Sequence, residues 1–133
     1  MAAGADVVLG SHPHMVQPVR YVEAEDADGV AHRGLVAYSL GNFISNMTVR
    51  YTDSGIILQF TIQETQDGGF EIVDPAVVPI YCWRRDHMIQ ALSSLKYYGE
   101  APEGMSQKTF ARMKESCTEL RSLIDADIPF IEE

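Results

Sequence analysis

Cysteine is scarce in this 133-residue chain. Cys82 and Cys117 are the only two, far apart in sequence and matching no zinc-ligand spacing. They read as buried thiols acting as small hydrophobes, or as a disulfide pair if the compartment is oxidising. Cations are also few. Ten Lys and Arg stand against 19 Asp and Glu, a formal net charge of −9. That balance excludes the phosphate neutralisation on which sequence-independent nucleic-acid binding rests. It favours a cationic partner, a metal ion above all, because a negative field attracts cations. No window offers the roughly 18 consecutive apolar residues of a membrane helix, and no basic stretch followed by an apolar one opens the chain. Internal repeats, low-complexity tracts and linkers are missing too. What remains is ordinary globular composition, with 46% hydrophobic and 22% charged residues, too apolar for disorder and long enough for one domain or part of one.

The pattern along the chain is strand, β meander, helices. Ala2 to Ala5 has the character of a helix end running into a strand, and Asp6-Val7-Val8-Leu9-Gly10 is a short apolar run of the kind buried on both faces of a parallel sheet. Val19 to Glu23 and Leu35 to Leu40 read as strands around the turn signal Asp28-Gly29. Ile56, Leu58, Phe60 and Ile62 alternate with polar residues, as in a half-buried antiparallel strand. Gln66 to Gly69 is a hairpin turn into Phe70 to Val73. Pro75 then interrupts, so Val77 to Tyr81 is expected as an edge or bulged strand. Further on, His87 to Tyr98 is expected as a short helix capped by Asp86 and stopped at Gly99. Ser106 to Asp125 is expected as a longer helix. Its stripe of Phe110, Met113, Cys117, Leu120 and Ile124 is read as core packing rather than as a ligand groove.

The chemically informative segment is Gly10-Ser11-His12-Pro13-His14, directly after the first strand. Ligands collect beyond the carboxyl ends of strands in open α/β sheets. Pro13 biases His12 towards an extended backbone, and residues two apart in an extended segment point the same way. His12 and His14 can therefore aim two imidazoles at one metal ion, with Ser11 free to bond a nearby oxygen; a pair of exposed loop histidines is the alternative. Two ligands fall short of the three or more that a catalytic centre needs. His32, beside the Asp28-Gly29 turn, and His87 have no carboxylate at motif spacing and are read as surface or helix-end residues. In Ser39-Leu40-Gly41-Asn42-Phe43, Asn42 either bonds a substrate oxygen or serves as a turn residue at a strand end. Trp83-Arg84-Arg85 either holds an anionic group or is a solvated strand end.

Residues Gly4 to Pro18, followed by Leu35 to Phe43, closely resemble the C-terminal part of the CapA-type capsule (poly-γ-glutamate) biosynthesis proteins, a family of the calcineurin-like metallophosphoesterase superfamily. The resemblance covers residue 1 to about residue 65; the segment from about residue 81 onward is not diagnostic. It implies an α+β or α/β chain, the C-terminal portion of a four-layer αββα sandwich. The whole of 1–133 would then be a single, partial CapA-like domain, β-rich over 1–81 and helical over 82–133. It implies that His12 and His14 correspond to the superfamily's last histidine motif, usually Gly-His-x-His, with Ser11 here in place of the Gly. The earlier motifs, with their Asp, Asn and His ligands and the catalytic His, are expected upstream.

The function expected is a part in making or exporting an anionic capsule polymer. His12 and His14 would contribute to a divalent-metal centre of a phosphoesterase-like hydrolase, with Ser11 and Asn42 near the substrate. The catalytic residues are not assigned, and the chain alone is expected to be inactive. An anionic polymer or phosphoester is the expected substrate, and capsule synthesis and export proteins, not nucleic acid, are the expected partners. The intact protein is expected at the membrane or outside the cytoplasm, and this chain is expected to self-associate through uncovered sheet surface. The rival reading is a non-enzymatic β-rich module of a membrane synthesis complex, its histidines structural.

Overall fold

Seven regular elements organise residues 1–133 in the computed structural model. The strands β1 (Val7–Leu9), β2 (Val19–Glu25) and β3 (Ala31–Ala37) form one sheet in the order β1-β3-β2. A second sheet holds β4 (Ser54–Glu64), β5 (Phe70–Arg85) and β6 (Met88–Ser93) in sequence order, all antiparallel. The helix α1 (Gln107–Arg121) packs on β5. The chain is thus mixed α+β, with two sheets and one helix, an arrangement consistent with a sandwich.

Direction matters for the site. β1 runs parallel to β3, pairing Val7 with Leu35 and Leu9 with Ala37, whereas β2 runs antiparallel to β3 on its other side. Residues 10–15 must therefore reverse the chain and cross over the carboxyl end of β3. β1 is shorter and more open than the expected twice-buried strand. Val8 is 41% and Leu9 54% exposed, because β1 is an edge strand with nothing packed on that side. Residues 2–5 form a turn rather than a helix end, closed by Gly4 N–H donating to the Met1 carbonyl at 2.7 Å.

The main core lies between the sheets. Val16, Val19, Leu35 and Ala37 come from the first sheet and its entry; Ile56 and Val77 come from the second; Leu120, Ile124 and Ile128 come from α1 and the segment after it. A smaller cluster of Tyr81, Trp83, Met105 and Met113 fills the space under the first half of α1. The helix matches its expected stripe: Met113, Cys117 and Leu120 are buried, and Ser106 caps it by accepting from Thr109 N–H at 3.1 Å.

Two expectations need correction. Residues 87–98 are not a helix. β5 continues to Arg85 and turns back into β6, with Arg85 paired to Met88 across a two-residue loop. Asp86 and His87 both have positive φ, +48° and +65°, which is the mirror-type turn that matches strand twist. The helical portion therefore starts at Gln107, well after residue 82. β5 is the central strand of its sheet, so of the two forms expected for it, edge or bulged, it takes the bulged one, and it tolerates both of its prolines for local reasons. Asp74 and Pro75 together oppose Phe60 alone, a bulge with Asp74 at φ +51°. Pro79 faces the side where β6 has ended, and its carbonyl accepts from Ser94 N–H at 2.8 Å. Beyond that point the C-terminal segment takes over beside β5, through Val77 N–H to Pro129 O and Ile131 N–H to Val77 O, both 2.9 Å.

Candidate metal-binding loop

The reversal between β1 and β2 sets the geometry of the histidine loop. Gly10 N–H donates to Ala37 O at 2.7 Å, and Val16 bridges Leu40 in antiparallel fashion, so five residues span the turn. Within it His12 has φ +108° and His14 φ +59°. The extended backbone expected around Pro13 is therefore absent, and the simple rule that residues two apart point one way does not apply. The crossing over β3 is too short for a relaxed path, and its curvature falls on the two residues flanking Pro13. Non-glycine residues held in this region are strained, and such strain concentrates at functional sites.

Both histidines are exposed, and Ser11 is exposed beside them. His14 is oriented by Asn42. Its Nδ1 lies 2.9 Å from Asn42 Oδ1. Asn42 Nδ2 donates to Thr52 O at 2.9 Å, so the oxygen of the amide is the atom facing the ring. An amide oxygen only accepts, so Nδ1 carries the proton and donates. That leaves Nε2 as the lone-pair nitrogen on the far side of the ring. His12 makes no hydrogen bond within the chain, so both of its ring nitrogens are unengaged.

Asn42 is itself fixed on all sides. It is 7% exposed. Its backbone N–H donates to Ser54 O at 3.0 Å, and the Cys82 thiol donates to its carbonyl at 3.3 Å. Two glycines allow this closeness. Gly41 has φ +70°, and a Cβ there would come within 2.7 Å of Val16 Cγ2. A Cβ on Gly55 would lie 2.4 Å from the Asn42 carbonyl oxygen. The turn reading of Gly41-Asn42 and a role for the Asn42 amide are therefore both present in one place. The amide points to His14 rather than to open space.

The other singled-out residues lie elsewhere. His32 Nε2 sits 2.8 Å from Asp26 Oδ2 at the tip of the β2–β3 hairpin, and the ring is the chief cause that holds this carboxyl below its usual range. His87 occupies the β5–β6 turn. Cys82 and Cys117 are both free and buried, and burial pushes both thiols up. Trp83 is buried, Arg84 is half-buried and donates to the carbonyls of Ser45 and Met47, and Arg85 is exposed, donating to Asp86 and to Glu103 O, so the strand end is solvated from Arg85 onward.

Thr52 and the neighbouring Asp53 were not foreseen as support for this region. Arg112 Nε and Nη2 reach the two oxygens of Asp53 at 2.8 and 3.0 Å, and Arg112 Nη1 reaches Glu119 at 2.8 Å. No sequence signal marks these pairs, whose members are 59 and 7 residues apart.

In this loop His14 presents an Nε2 oriented from behind by Asn42, and the His12 ring has no hydrogen-bond partner within the chain. Nowhere in the chain do three or more His, Cys, Asp or Glu side chains gather as a metal-holding group.

Comparison with known proteins bears on this same segment. Residues 1–47 match the family model described as bacterial capsule synthesis protein PGA_cap. The PGA biosynthesis protein CapA of Bacillus subtilis (strain 168) is 30% identical over 70 residues, which is 53% of this chain and 16% of that protein. The capsule biosynthesis protein CapA of Bacillus anthracis is 33% identical over 78 residues, 59% of this chain and 16% of that protein. No solved structure matches. The chain thus spans about 16% of the length of these curated relatives. Residues 1–47, which carry His12, His14 and Asn42, are the part of the chain that is similar to the bacterial capsule synthesis family.

Proposed function

We propose that this chain contributes His12 and His14 to the divalent-metal centre of a CapA-type capsule biosynthesis protein with a four-layer, metallophosphoesterase-like sandwich, of which it forms the C-terminal part. The observation that carries this reading is the chain His14 Nδ1–Asn42 Oδ1, Asn42 Nδ2–Thr52 O, both 2.9 Å. A metal-binding histidine characteristically donates its other ring N–H to an oxygen that fixes tautomer and orientation. Asn42 does this for His14 and is held rigid while doing so. The site lies at the carboxyl ends of two parallel strands, where ligands of open sheets collect.

The roles follow from the residues. His14 offers Nε2 as a donor atom whose direction Asn42 sets. His12 offers a second imidazole from the far side of Pro13. Ser11 supplies a hydroxyl at the rim of the loop, within the same strained turn. When bound, a divalent ion would polarise a phosphoester or amide oxygen or lower the pKa of a water molecule. The remaining ligands come from other parts of the protein, since this chain gathers no third one. The substrate is then an anionic polymer or a phosphoester, the partners are capsule synthesis and export proteins, and the intact protein works at the membrane or outside the cytoplasm. No helix of this chain is long and apolar enough to cross one.

Metal analysis of the full-length protein tests this. The double variant His12→Ala/His14→Ala is expected to lose bound metal and phosphodiesterase activity together. Unchanged metal content and activity would instead favour the non-enzymatic module, in which the histidines only shape the loop.

A further inference from the structure

A cavity of about 570 Å³ opens between the 43–53 loop, the end of β5 and the first half of α1, away from the histidine loop. Four of the chain's ten cations line it, Arg50, Arg84, Lys108 and Arg112, although the chain carries a net charge of −9. These four are not equivalent. Arg112 is committed to Asp53, Glu115 and Glu119, and Arg50 reaches the same two glutamates. Asp53, the carboxylate in the wall, is thereby matched on both oxygens by Arg112. Arg84 and Lys108 meet no carboxylate at all. Arg84 gives one guanidinium nitrogen to the carbonyls of Ser45 and Met47, and the Lys108 ammonium has no partner.

The same wall contains Tyr81. Its ring is buried, with the residue 5% exposed, while its hydroxyl makes no hydrogen bond within the chain and is open to the cavity. The structure holds no buried side-chain oxygen without a partner, so this phenol is a solvent-reachable donor at the cavity surface, free to give its proton to an acceptor there. Burial first, and the Asp53 charge second, push this phenol up, so it stays a donor at neutral pH. The free functions facing the cavity are thus donors: one phenol, one ammonium and the rest of one guanidinium. A group with several acceptor oxygens and negative charge complements all three.

We propose that this cavity is an oxyanion-binding site, taking a carboxylate or phosphate group on Tyr81, Arg84 and Lys108. Arg112 and Asp53 form its fixed floor. The site does not rest on the metal reading, but one loop joins the two: Thr52, which anchors the Asn42 amide, directly precedes Asp53.

Calorimetric titration of the full-length protein at low ionic strength tests it, with sodium glutarate as the carboxylate probe and inorganic phosphate as the other. Tyr81→Phe, Lys108→Gln and Arg84→Gln are each expected to weaken binding about tenfold, the scale of one charge-assisted hydrogen bond. Tyr81→Phe should do so without lowering thermal stability, because the hydroxyl has no partner to lose. His12→Ala/His14→Ala and Lys114→Gln should leave the affinity unchanged. The tighter of the two probes identifies the natural group. Absence of binding by both probes overturns the proposal. So does affinity that survives Tyr81→Phe and Lys108→Gln, or binding that disappears with the histidines.

Discussion

At the residue scale the informative side chain is Asn42. All its polar groups are used: His14, Thr52 O, Ser54 O and the Cys82 thiol account for the two amide and two backbone functions. Removing a buried amide with satisfied partners costs about 1–3 kcal/mol. Asn42→Ala should therefore lower stability by roughly that amount. If Asn42 orients a metal ligand, the same change should also weaken metal affinity by about 10- to 100-fold. Asn42→Asp separates the two effects. It keeps an acceptor for His14 but loses the donor to Thr52 O, so metal affinity should recover while stability does not. Equal metal affinity in the wild type and Asn42→Ala, measured by competition with a chelator, would leave the amide a purely structural role. His12 and His14 were legible in the sequence as residue types at a suggestive spacing. Their left-handed backbone was not, because it arises from the crossover above β3 and not from any preference of His or of the residue before Pro13.

At the element scale, the strands before residue 65 and the helix after 106 followed from local pattern, since period-two and i, i+3, i+4 spacing act within one segment. The β5–β6 hairpin did not. Asp86-His87 is not among the strong hairpin dipeptides, and Met88 to Ser93 is too short for its period to be decided locally. Partnership with β5 decides it, and that information lies in the sheet. Similarly, α1 is tied to the 43–53 loop by contacts distant in sequence. Arg50, first, and Arg112, second, hold the Glu115 carboxyl below its usual 4.5. A carboxyl lowered on folding stabilises the fold above its ordinary pKa, and that contribution disappears as the pH falls through the folded value. Glu115→Gln should therefore be less stable than the wild type near neutral pH. The gap should close towards pH 3, read as urea midpoints at the two pH values. A gap that persists unchanged in acid would show that Glu115 contributes by packing instead.

At the scale of the whole molecule, the uncovered apolar surface is the main feature. Leu9, Phe43, Ile44 and Val49 are each more than half exposed, and β1 has one unpaired edge. Such patches and edges drive association. The 133-residue chain on its own is expected to show concentration-dependent self-association in sedimentation velocity, and a strictly monomeric boundary at high concentration would count against it. The cavity beside α1 was not legible in this sequence, since its lining residues come from three separated segments.

β5 contributes Val77 to the larger core and Tyr81 and Trp83 to the smaller one, and α1 does the same with Leu120 and Met113. The two hydrophobic clusters therefore share a spine and a brace. Loosening of either is therefore expected to weaken the other, which would show as one coincident thermal transition for probes at the cavity wall and at the histidine turn.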